Sequence, residues 1–78
     1  MKTPSVDELA ARFEYLDDLR ESGKTNMFGA GPYVKRAFKI EDSEEVKFTV
    51  VSWMKTFKDG KLSPDDRAAA ALAKEENR

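Results

Sequence analysis

SEEVKFTVVSWMKTF, residues 43–57, admits two periods, and the fold follows from which one holds. Val46, Phe48 and Val50, with Met54 in phase, alternate as a half-buried strand would, and Thr49-Val50-Val51 is rich in β-branched side chains. Val46, Val50, Trp53, Met54 and Phe57 instead recur at the three- and four-residue spacing of one helical face. Trp53 and Phe57 fit only the helical period, and the run is longer than an ordinary strand. A helix of about four turns is therefore expected. Asp42 with Glu45, or Ser43 as cap, would start it, and Asp59-Gly60 would end it.

Before this helix, Ile40-Glu41-Asp42-Ser43 makes a break, and before the break lies Ser22–Val34, SGKTNMFGAGPYV. Thr25 or Asn26 can cap a short turn through Met27 to Ala30. Gly31 then frees the backbone for a change of direction, and Pro32 suits the first position of a helix running to about Lys39. That helix would bury Val34, Ala37 and Phe38. A continuous helix through Pro32 is the alternative, kinked and short of one backbone bond.

The first helix carries the clearest start and stop signals. Ser5 with Glu8 three residues on forms a capping box, and Asp7 adds negative charge at the positive end of the dipole. Val6, Leu9, Ala10, Phe13, Leu16 and Leu19 or Arg20 make an apolar stripe, with Glu14, Asp17, Asp18 and Glu21 opposite. Gly23 ends the helix where positive φ is needed. At the other end of the chain, Ser63-Pro64-Asp65-Asp66 opens a last helix over 63–77. Its body has high helix propensity, but Leu72 is its only large apolar group. Such a helix is expected to dock weakly through alanines, to fray, or to pack on a second copy as a homodimer.

These elements define an all-α chain: a small orthogonal domain of three packed helices (core 5–58) plus a C-terminal helix. The length of 78 residues suits one domain. With no cysteine and no histidine, disulfides, thiolate metal sites and the commonest general base are missing, and no enzyme activity, cofactor or metal is expected. A net charge of −1 with 37% charged residues gives no global attraction to nucleic acid or membrane. The opening MKTPSVDE lacks the apolar core of a signal peptide, so the cytoplasm is the expected location. Residues 23–61 hold eight basic and five acidic side chains, a mildly basic centre between acidic ends.

Two motifs fail on context. SGKT, residues 22–25, matches the end of a phosphate-binding loop, but Asp18 stands where the first glycine is required and a helix precedes it. Gly29-Ala30-Gly31 lacks the strand and the third glycine of a dinucleotide fingerprint. The adjacent carboxylates Asp17-Asp18 and Glu44-Glu45 point about 100° apart on a helix and read as solvated faces and caps.

Two binding readings survive. Asn26, Met27, Phe28 and Tyr33, set among glycines, would present an adaptable apolar-polar patch to a protein partner. Alternatively, the second helix, the break and the third helix form a helix-turn-helix DNA-binding regulator, with the third helix as reader and Lys35, Arg36, Lys39, Lys47, Lys55 and Lys58 as its phosphate contacts. Glu41, Asp42, Glu44 and Glu45 at the reading end oppose a duplex, so protein binding is the preferred expectation.

LDDLRESG, TNMFGAGPYV, the AF pair and VVSWMKTF, spread over Phe13 to Phe57, resemble a group of small uncharacterised proteins from bacteriophage and marine metagenomic sequence. TNMFGAGPY is the most specific part of the likeness. The resemblance implies a phage accessory protein that acts by binding a host or viral macromolecule.

Overall fold

In a computed structural model, residues 3–24, 29–56 and 63–76 are described, and they form four helices and no strand. These are α1 (Val6–Ser22), α2 (Ala30–Phe38), α3 (Ser43–Thr56) and α4 (Pro64–Glu76). The chain is all-α, as its periodicity requires. The stop expected at Asp59-Gly60 lies outside the described residues, as do Phe57, Lys58 and Leu62.

α1 begins and ends as its sequence dictates. Ser5 Oγ accepts the Glu8 N–H at 3.1 Å, while Glu8 Oε1 accepts the Ser5 N–H at 3.2 Å, completing the capping box. Gly23 adopts φ 73° and donates its N–H to the Arg20 carbonyl at 3.2 Å. Leu9, Ala10, Phe13, Leu16 and Leu19 are buried, but Val6, placed in the same stripe by spacing, is 38% exposed.

α2 starts two residues earlier than Pro32 suggests. Gly29 is its N-cap and Pro32 is its third residue, where the missing N–H has no intrahelical acceptor to lose. Gly31 is therefore helical and has no positive φ. Val34 and Ala30 are buried, Phe38 is half-buried, and Ala37 is exposed rather than buried. The end of α2 is a Schellman-type turn. Lys39 takes the left-handed conformation at φ 53° and ψ 44°, and the Ile40 N–H reaches back to the Lys35 carbonyl at 3.0 Å. Ile40, the residue after the left-handed position, is 5% exposed, which supplies the apolar contact such turns favour.

α3 is the helix that Trp53 requires, and Asp42 caps it: Asp42 Oδ1 accepts the Glu44 N–H at 2.9 Å. Its buried face differs from the apolar stripe in sequence. Trp53 and Val50 are buried, Val46 and Met54 only partly, and the rest of the covered face is Glu45, Thr49, Ser52 and Thr56. Thr49 and Thr56 donate their hydroxyls to carbonyls one turn back, Glu45 O and Ser52 O, each at 2.8 Å. Polar side chains enter this interface because their donors are satisfied within the helix.

α4 is capped by Ser63, whose Oγ accepts the Asp66 N–H at 3.2 Å. Contrary to the expectation of weak docking, α4 packs on α1 in the most extensive helix pair of the fold and also touches α3. Ala68 and Ala71 are buried and bring the backbones close; Leu72 packs at the edge of the core. Arg67 is buried beside them, only 4% exposed.

Candidate interaction surface

Charged side chains that the sequence places on solvated faces are spent inside the fold. Arg12, on α1, is 5% exposed. Its Nη1 lies 2.8 Å from Glu45 Oε2 on α3 and donates to Thr49 Oγ1 at 3.4 Å. Its Nη2 lies 3.7 Å from Glu8 Oε2. The guanidinium stands over the Phe38 ring, 5.9 Å from the centroid, and Phe38 meets Tyr15 edge-on at 5.6 Å. Arg12 therefore ties α1 to α2 and α3 together.

Asp17 makes the second tie. Its Oδ2 is 3.0 Å from Arg67 Nη1 on α4, and its Oδ1 accepts the Trp53 indole N–H at 2.8 Å from α3. Arg67 also lies over the Phe13 ring at 5.2 Å. Glu45 is nearly covered and Asp17 is only about a third exposed, each engaged by an arginine, which corrects the reading of the adjacent acidic pairs. Both serve as internal anchors, and both arginines were absent from the sequence-derived core. Their signal was present in sequence only as charges of opposite sign on separate helices, with no local cue to their pairing.

The outer face of α2 is exposed. Pro32, Lys35, Arg36 and Lys39 recur at helical spacing, are exposed, and line one open depression of about 630 Å³ with Ile40 and Glu41. The fold brings Lys35, Arg36 and Lys39 together around this depression. Tyr33, on the same helix, is 37% exposed and is one of two exposed large hydrophobic residues among those described; its backbone carbonyl accepts from the Tyr15 hydroxyl at 3.4 Å. Tyr33 is not among the residues lining the depression. Asn26, Met27 and Phe28 lie outside the described residues.

At the start of α3, Glu45 is withdrawn into the pair with Arg12 and Asp42 is engaged in capping, whereas Glu41 and Glu44 stay exposed. Glu41 faces the same depression as the three cations, a feature that spacing alone did not reveal, because it depends on the left-handed turn at Lys39. The surface is thus cationic overall, with one carboxylate at its edge, and its local field attracts anions. Among the described residues no group of three acidic side chains converges as a metal site would require, and no helix is long and apolar enough to cross a membrane.

No family model, no curated protein and no solved structure matches this chain.

Proposed function

We propose that this chain is a small non-enzymatic binding module that engages a partner protein in the cytoplasm through the exposed side of α2 and the segment leading into it, with Asn26, Met27, Phe28 and Tyr33 as its contact residues. The observation that carries the reading is Tyr33: a large aromatic side chain left 37% exposed on a helix whose inward side is already filled by Ala30 and Val34. Amphipathic aromatic residues of this kind are the usual anchors of protein interfaces. The likeness of TNMFGAGPY to small phage proteins supports a finer form, an accessory protein acting on a host or viral partner.

The gathering of Lys35, Arg36 and Lys39 favours a second reading, a DNA-binding regulator that uses α2 and α3. Glu41 and Glu44 weigh against it, since both are exposed at the N-terminal end of α3, the end of a recognition helix that meets base edges.

Affinity capture with the tagged chain from its native cells tests the first reading. A protein partner retained by the wild type, and lost with Tyr33→Ala or Phe28→Ala at unchanged thermal stability, is the expected result. Capture that is insensitive to both substitutions and is abolished by nuclease overturns it.

A further inference from the structure

Resting on that binding-module reading, we propose that the depression beside Tyr33 receives an acidic segment of the partner protein carrying at least one apolar side chain. Three observations select this occupant. Lys35, Arg36 and Lys39 supply three cations to the depression against the single carboxylate of Glu41, so its field attracts anions. All three basic residues are exposed, and none is spent in an ion pair with another described residue in the way that Arg12 and Arg67 are. The remaining lining, Pro32 and Ile40, is apolar.

Glu41 disfavours a phosphodiester backbone, which has no donor of its own, more than a peptide backbone. A phosphodiester strand offers acceptors at every step and meets Glu41 with repulsion. A peptide offers backbone N–H donors between its carboxylates, so one strand can satisfy Glu41 and the three cations together. Pro32 is exposed and gives an aliphatic side chain a surface to cover, to which Ile40, 5% exposed, adds little. The geometry of the α2 end holds the arrangement in place, because the left-handed Lys39 turns the chain so that Glu41 comes back beside Lys35 and Arg36.

The test is a titration followed by the amide spectrum of the full chain and by fluorescence anisotropy. The probes are a labelled peptide alternating Glu with Leu, the same peptide with Gln for Glu, and a single-stranded oligothymidylate. The proposal expects the acidic peptide to bind, with shifts confined to residues 32–41, weakening as salt rises. Lys35→Glu, Arg36→Glu and Lys39→Glu together should weaken it by about tenfold or more, the sum of three exposed ion pairs. Lys47→Glu, exposed on α3, should leave it unchanged.

Equal binding of the Gln peptide, lost with Tyr33→Ala but not with charge reversal, overturns the acidic partner while the binding-module reading stands. Preferential binding of oligothymidylate overturns both. Concentration-dependent self-association that the triple reversal abolishes assigns the depression to a second copy and overturns the proposal, as does failure of every probe to shift residues 32–41.

Discussion

The Trp53 indole Nε1 donates to Asp17 Oδ1 at 2.8 Å, across the contact between α3 and α1. The same carboxylate holds Arg67 of α4 through its other oxygen at 3.0 Å. One side chain therefore fixes the largest core residue and the C-terminal helix against the first helix. Replacing Asp17 with Ala leaves the buried Arg67 guanidinium without this carboxylate. Loss of one partner from a buried pair costs about 3–5 kcal/mol; Asp17 is itself about a third exposed, and solvent screening lowers the expected loss to about 2–3 kcal/mol. Asp17→Asn, which keeps an acceptor for the indole but not the charge, should lose less. Urea titrations followed by Trp53 fluorescence measure both, and an Asp17→Ala midpoint equal to that of the wild type would refute the tie.

Arg12 and Glu45 form a deeper pair, with both side chains nearly covered. Arg12→Met strands a buried carboxylate and should cost about 3–5 kcal/mol. The double variant Arg12→Met/Glu45→Leu removes both charges and should be more stable than the single Arg12→Met, because apolar replacement of a whole buried pair is often neutral. A double-mutant cycle measures this coupling. Purely additive losses would show that the two charges do not interact.

Much of the fold was legible in the sequence where the cause is local. The capping box of Ser5 and Glu8, the left-handed stop at Gly23 and the period set by Trp53 each depend on neighbours within a turn or two. The covered face of α3 and the docking of α4 were not legible, because they depend on partners remote in sequence. Glu45 and Thr49 look solvated until Arg12 is brought to them, and the alanines of α4 look weak until Arg67 finds Asp17. Of the candidate site, Lys35, Arg36 and Lys39 were visible in the sequence as cations of one helix, and their shared depression is a result of the fold. The approach of Glu41 was not visible, since a lysine in the left-handed region carries no clear sequence signal.

Two backbone positions offer stabilising substitutions. Lys39 holds φ 53° with a side chain attached, a conformation that costs a non-glycine residue about 1 kcal/mol. Lys39→Gly should therefore raise stability by up to about 1 kcal/mol, net of the greater freedom of glycine in the unfolded chain. A Cβ at Gly31 would meet Val46 Cγ1 at 3.6 Å, ordinary contact, so Gly31→Ala should add about 0.5–1 kcal/mol by restricting the unfolded chain. Thermal melts of each variant check the signs; a lower melting temperature for Gly31→Ala would mean that α2 cannot accept the added methyl.

Ending the chain at residue 62 removes Arg67, Ala68, Ala71 and Leu72 and uncovers the side of α1 that α4 packs against. A domain this small has little stability to spare. The truncated chain should lose its cooperative melt and the near-ultraviolet signal of a fixed Trp53. A cooperative transition close to that of the full chain would return α4 to the status of a loosely attached helix.

The central claim is that α4 belongs to the same cooperative body as α1 and α3, joined to them through Arg67, Asp17 and Trp53. Native-state hydrogen exchange of the intact chain tests it without a substitution. Slowly exchanging amides in the middle of α4, around Ala68 to Leu72, should open with the same free energy as those of α1 around Phe13 to Leu16, and this should equal the global unfolding free energy from urea titration. Amides of α4 that exchange through a separate opening, well below the global value while α1 and α3 stay protected, would contradict it.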